Sequence, residues 1–269
     1  MRSGPSNDDE PAGRARRGIQ SIEVGGQLLL ALARTGAPMM LRDLARAAGM
    51  VPAKAHPYLV SFGKLGLIEQ DPVTGRYELG RLALELGLVS LQRLDPVRIA
   101  TPEISALSVR TAQSGALAVW GTHGTTIIRF EESTRPIHVN LRTGTVMSLV
   151  HSATGQIFAA YLPPKLTESL IRSELERTSE DGGGRPPSWK QIEATLSDVR
   201  TRGIARAVGH PIPGINAFSA PVFDHTRNVV LAMTLLGPQN TFDAGWRGPI
   251  AQALLESAAA VSSRLGYRP

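Results

Sequence analysis

Six histidines, paired acidic residues and a complete lack of cysteine bound the chemistry open to this 269-residue chain. Without cysteine, a disulfide framework and thiolate catalysis are both excluded, and the composition suits a reducing compartment. His151, His210 and His225 lie in the C-terminal half without the H-x-x-H, H-E-x-x-H or cysteine-bearing spacing of a metal site. His123 falls in a turn, Thr122-His123-Gly124. Glu131 and Glu132 adjoin in a strand pattern, which turns their side chains to opposite faces and prevents paired acid–base work. Ser148 and His151 are close in sequence, but no G-x-S-x-G elbow exposes a nucleophile. There is no G-x-x-x-x-G-K-[ST] phosphate loop, and Gly182–Gly184 follow no strand, so they form no dinucleotide site. These residues point to structural and surface roles, with no metal, no cofactor and no enzyme.

Basic residues make a stronger pattern. The chain carries a formal net charge of +6. The segment from Arg14 to Arg81 accounts for +5 of it, ten Lys/Arg against five acids. Concentrated positive charge favours a polyanion partner. Within that segment, VPAKAHPYLVSF (residues 51–62) has helical apolar spacing and the basic residues Lys54 and His56. Such a helix can enter a DNA groove, yet Pro57 stands in its middle. Pro52 is harmless at a first helical position. If the helix starts there, Pro57 deprives the Ala53 carbonyl of its donor, which in an ideal interior costs about 3 kcal/mol. Either the helix kinks, or it starts late and leaves Tyr58, Leu59, Phe62 and Leu65 for the core.

The surrounding elements decide what this stretch is for. Ile22, Leu28, Leu29 and Leu32 repeat at helical spacing before Gly36, and LRDLARAAGM forms a second short helix closed by Gly49. After the third helix, Leu67–Gln70 and Arg76–Leu79 flank the turn Asp71-Pro72-Val73-Thr74-Gly75. Helix, helix, turn, helix and β-hairpin describe a winged helix-turn-helix, with Arg76 near the wing tip in reach of a phosphate. Residues 80–94 put Leu82, Leu86, Val89 and Leu94 on one stripe of a linking helix. Beyond it, helical and strand patterns alternate. A helix is expected over 101–114, capped by Thr101 with Pro102 at its first position. Strands are expected at ALAVWG, TTIIRFEES and IHVNL, followed by helices near ATGQIFAAYL and KLTESLIRSELER. EDGGGRPPS is a loop before the helix WKQIEATLSDVRTRG. GINAFSAPVFD and NVVLAMTLLG form a hairpin-like pair, and DAGWRGPIAQALLESAAAVSSRLGY is a long closing helix.

GIQSIEVGGQLLLAL, LRDLARAAGM, AHPYLVSFGKLGLIEQD and GRYELGRLALELG resemble the N-terminal domain of IclR-type bacterial transcriptional regulators. HSATGQIFAAYLP, TRGIARAVG and INAFSAPVFDHTRNVVLAMTLLGP resemble the effector domain of the same family, so the likeness spans residues 18–266. It implies an α+β chain: a disordered tail over 1–17, a winged helix-turn-helix domain over 18–80, a linker helix over 81–98 and a GAF-like α/β effector-binding domain over 99–269. In that family the linker helps to pair two chains; packing on its own domain is the alternative. The position matching Pro57 is commonly a basic residue that touches DNA. Arg42, Lys54, His56, Tyr58 and Arg76 are the remaining candidates for DNA contact.

The resemblance also implies a pocket lined by Ala153, Thr154 and Gly155 on one side and by Ile215, Asn216, Ala217 and Thr234 on the other, with Met147 as an apolar wall. Gly155 would let backbone N–H groups approach a carboxylate at a helix N-terminus, and Thr154 and Thr234 would add hydroxyl donors. Ala207 and Ala217 stand where members that bind very small oxoacids can carry polar side chains, which favours a larger, more apolar acid.

The leading expectation is a ligand-responsive transcription factor of a metabolic operon. Its partners would be an operator in double-stranded DNA, a small organic or aromatic acid, and itself, as a homodimer or dimer of dimers. No apolar run reaches the roughly 18–20 residues of a membrane span, and residues 1–18 lack the hydrophobic segment of a secretory signal, so a cytoplasmic location is expected. Two alternatives stay open: a sensor whose DNA grip Pro57 has weakened, and an enzyme on a GAF-like fold.

Overall fold

The computed structural model describes residues 18–133, 141–180 and 186–269. The tail over 1–17, most of the IHVNL strand and the glycine run at 182–184 fall outside the described residues. Contacts divide the chain between Leu94 and Asp95 into two compact units.

The first unit is built on α1 (Gln20–Thr35), α2 (Leu41–Ala47) and α3 (Pro52–Lys64). α1 buries Leu28, Ala31 and Leu32, one face of a 3.6-residue period. It ends at Gly36 in the left-handed conformation, whose N–H bonds the Leu32 carbonyl. Gly49 takes the same conformation at φ +69° and turns the chain from α2 into α3. The antiparallel wing pairs β1 (Ile68–Gln70) with β2 (Tyr77–Leu79), and Met39 bridges to Tyr77. Asp71 shapes the turn by accepting the Val73 and Thr74 amides at 2.7 and 3.0 Å. Leu28, Leu44, Leu59, Ile68 and Tyr77 close one core, and each large apolar side chain buried there contributes about 1.5–3 kcal/mol.

α3 neither starts late nor breaks at Pro57. It runs from Pro52 and buries Ala55 and Leu59, while Leu65 stays exposed. Ala53 and Pro57 are both exposed, so solvent reaches the carbonyl that the proline leaves without a donor. Pro102 repeats the device. The helix expected to start there begins earlier, as α5 (Pro96–Thr111), with Asp95 accepting the Val97 and Arg98 amides at 2.9 and 3.1 Å. Asp at the N-cap and Pro at the first position outweigh Thr101 and Pro102, and Pro102 sits exposed inside the helix. The linking helix, α4 (Arg81–Gln92), is accordingly shorter than expected, and none of its residues is buried.

In the second unit, β3 (Ser114–Gly121), β4 (Gly124–Glu131), β5 (Ala205–Val208), β6 (Ile215–Phe223) and β7 (Val229–Pro238) form one antiparallel sheet in the order β4-β3-β7-β6-β5. α6 (Ala153–Tyr161) lies on one face, backed by α7 (Pro164–Glu180) and α8 (Trp189–Arg202); α5 and α9 (Pro249–Arg264) cover the other. The α6 face is floored by small residues, among them Ala116, Ala118, Ala205, Ala207, Ala217 and Ala232. That floor accommodates a helix buried along its length from Ala153 to Ala160. The sequence reading missed β5, a four-residue strand paired with β6. The closing helix is shorter than expected, because Asp243–Gly248 form a non-helical lead-in.

Candidate functional site

Each unit holds one candidate site. In the first, α3 turns Ala55 and Leu59 inward and leaves Lys54, His56 and Pro57 exposed on the other side. Arg42 on α2 and Arg76 beside the wing turn are exposed as well. Arg76 donates one N–H to the Pro38 carbonyl at 3.3 Å, which fixes its direction without burying it. Tyr58 is placed differently. It is half-buried, packs against the unit's core, and lies so close to Gly25 that a Cβ there would come within 2.7 Å of its ring.

In the second unit, a cavity of about 40 Å³ lies between the start of α6 and the sheet. Met147, Ala153, Thr154, Ile215, Ala217 and Thr234 line it, as expected. Gly155 and Asn216 do not. Gly155 donates its N–H to the Ser152 hydroxyl at 2.9 Å, as part of the helix cap. Asn216 lies on the opposite strand face from Ile215 and Ala217 and accepts the Gly209 amide at 3.1 Å. Period-two alternation could have shown this from the sequence.

The threonines also act otherwise than expected. Thr234 donates to Ser219 at 2.9 Å, and Ser219 donates to the Met233 carbonyl at 3.3 Å. Thr154 and Thr234 sit 2.9 Å apart. With the Thr234 proton committed, Thr154 donates to Thr234 and presents only lone pairs to the cavity. The lining omitted from the sequence reading includes Ala116, Leu141, Leu236 and the lip His210-Pro211-Ile212.

Behind the cavity, the segment from Ser148 to Ser152 is tightly fixed. Ser148 donates to the Glu174 carboxylate, which also accepts the Leu149 amide at 2.9 Å. The Ser148 hydroxyl accepts the His151 backbone amide at 2.7 Å, so its proton goes to a carboxylate and not to an imidazole. Among the described residues, no three His, Cys, Asp or Glu side chains converge on a metal position.

The His151 ring is half-buried and stacks on His210 with centroids 4.9 Å apart. Burial holds the His151 pKa below its ordinary value, His210 lowers it further, and Glu174 opposes both. A histidine depressed in the folded state contributes stability that is present above its unfolded pKa, near 6.5, and is lost as pH falls toward the folded value. The melting temperature should therefore decline below about pH 6.5, and His151→Gln should remove part of that decline. Parallel melting curves for both proteins from pH 7.5 to 5 would contradict this.

Residues 21–72 match the IclR helix-turn-helix domain, and residues 88–263 match the bacterial transcriptional regulator IclR C-terminal domain. The chain belongs to the IclR family of bacterial transcriptional regulators, DNA-binding proteins rather than enzymes. The crystal structure of Pseudomonas aeruginosa HmgR is similar over 93% of this chain and 99% of that one, with 36% identity and a TM-score of 0.82. The glycerol operon regulatory protein of Streptomyces coelicolor is 28% identical over 252 residues, which span 93% of this chain and 98% of the relative. The fold also matches the Agrobacterium tumefaciens repressor BlcR, with a TM-score of 0.77 at 20% identity. No helix among the described residues is long and apolar enough to cross a membrane.

Proposed function

We propose that this chain regulates a metabolic operon by binding its operator as a dimer, and that a small organic or aromatic acid held at the α6 cavity and the groove outside it shifts it between DNA-competent and DNA-incompetent states. The cavity carries this reading: it lies between helix and sheet, is lined mostly by apolar residues with a few polar groups, and adjoins at His210 a groove of about 850 Å³. The operon-regulating role of the Streptomyces relative supports the same reading, and a regulator acting on bacterial DNA would work in the cytoplasm. Arg42, Lys54, His56 and Arg76 would face the operator from α2, α3 and the wing. Exposed Leu84, Leu86, Leu88, Val89 and Leu91 give α4 an apolar surface that a second copy would cover.

Fluorescence anisotropy on DNA from upstream of its own gene tests the reading. Wild type should bind with a steep salt dependence, and Lys54→Ala and Arg42→Ala should each reduce the log–log slope by about 0.9. An organic acid that raises the melting temperature should also change operator affinity. A slope that neither variant changes would remove the α2–α3 surface from the DNA interface.

A further inference from the structure

Neither side chain expected to recognise an acid is free to do so by its hydrogens: the Thr154 and Thr234 protons are used within the ladder that ends at Met233. The Gly155 amide is used by the helix cap. Among the described residues, the cavity lining contains no Lys, Arg, Asp or Glu, and His210 is the one lining side chain able to carry positive charge near neutral pH. His210 also lines an outer groove of about 850 Å³, together with His151, Gln191, Thr195, Leu196 and Pro187. The inner cavity, at about 40 Å³, has room for roughly three water-sized groups. A ring or a longer chain does not fit there.

We propose that His151 and His210 form the acid-reading element of the effector site, with a short apolar head of the ligand in the inner cavity and its larger body in the outer groove. The inference rests on the ligand-responsive reading above and adds where the acid group sits and which size of acid is accepted. The lip that carries His210 is flanked by Gly209 and Gly214, both at positive φ (+62° and +76°), conformations that fit glycine and give the loop its sharp turns. Asn216 ties down one end of it through the Gly209 amide.

The charged surroundings are simple. From α7, Glu174 faces His151, with its carboxylate already accepting from Ser148 and Leu149. From the lip comes His210, and α8 presents Gln191, Thr195 and Leu196. Burial beside His210 disfavours the charged form of His151, and a carboxylate set against its ring reverses that resistance. Binding of an acid should therefore take up a proton, and affinity should rise as pH falls. Between the free and bound pKa values the rise approaches tenfold per pH unit for one proton.

The test uses the full chain with 4-ethylbenzoate and hexanoate against their neutral amides, 4-ethylbenzamide and hexanamide, by titration calorimetry at pH 8, 7 and 6. The expected result is acid binding that strengthens several-fold at each step, proton uptake in buffers of different ionisation enthalpy, and little binding of the amides. His210→Gln and His151→Gln should flatten the pH dependence. Amides that bind as well as the acids would overturn the proposal without recourse to a variant. So would acid binding that is independent of pH, or no acid binding at 10 mM. The broader reading is judged separately, on DNA. If the acids bind with proton uptake but leave operator affinity unchanged, regulation through this cavity fails and the histidine assignment stands. If a neutral metabolite in the same cavity changes operator affinity, the reverse holds.

Discussion

Gly155→Ala should cripple the effector unit, although the substitution places the best helix-forming residue inside a helix. On propensity alone, alanine would gain about 1 kcal/mol over glycine. Packing reverses the sign. A Cβ on Gly155 would lie 1.9 Å from the Ser148 carbonyl oxygen, 2.6 Å from its carbon and 2.8 Å from the Leu149 Cα, all backbone atoms. That backbone has little freedom to retreat. The Ser148 carbonyl accepts the Ser152 hydroxyl at 2.6 Å, the Ser148 hydroxyl holds Glu174 and the His151 amide, and Glu174 also holds the Leu149 amide. The start of α6 would have to move off the sheet, opening the core around Ile157 and Phe158, which are fully buried. Overpacking of that severity costs about 4 kcal/mol or more. For a unit of this size the melting temperature should fall by on the order of 10 °C. The first unit has its own core and should keep its helical signal where the second has melted. Circular dichroism melts of the two proteins decide the matter. A variant melting within about 2 °C of wild type would show that the 148–152 segment gives way easily.

Gly155 also marks a limit of sequence reading. Its presence signalled a close backbone approach, and a close approach is what the structure has, but the partner is the chain itself and not a ligand. Nothing local distinguishes the two, because the segment that meets Gly155 is fixed through Glu174 on α7. The elements whose signals are local were legible: Gly36 and Gly49 end their helices in the left-handed conformation, and the Asp71–Gly75 turn joins two short strands. So was most of the cavity wall, since Ala153, Thr154, Ile215, Ala217 and Thr234 fall on the α6 and strand positions that the resemblance implied. Asn216 was misplaced although its strand phase was readable. His210 was passed over because its part depends on a loop folding back beside α6, where it meets His151 only in three dimensions. Pro102 was read as a helix start because the stronger signal, Asp95 with Pro96, lies further upstream, and the late start offered for Pro57 is not taken. The cost of an interior proline such as Pro57 depends on whether the carbonyl left without a donor is buried, and burial is settled by tertiary packing.

That reasoning changes what is expected of Pro57→Arg. The Ala53 carbonyl is on an exposed stretch of α3, so the proline costs less than it would in a buried interior, yet the missing bond and the ring's crowding of the preceding turn remain. Replacement by arginine restores the N–H donor and should stabilise the first unit by about 1–3 kcal/mol. It also adds a cation to the exposed side of α3, beside Lys54 and His56. If that side meets DNA, one more phosphate contact steepens the log–log salt slope by about 0.9 and tightens binding several-fold at low salt. Pro57→Ala separates the two effects, because it restores the donor without the charge. Alanine should raise the melting temperature and leave the salt slope as in wild type, whereas arginine should change both. Equal slopes for the two variants would mean that position 57 lies away from the phosphates. Loss of stability in both would mean that the proline is favourable where it stands, through the restriction it places on the unfolded chain.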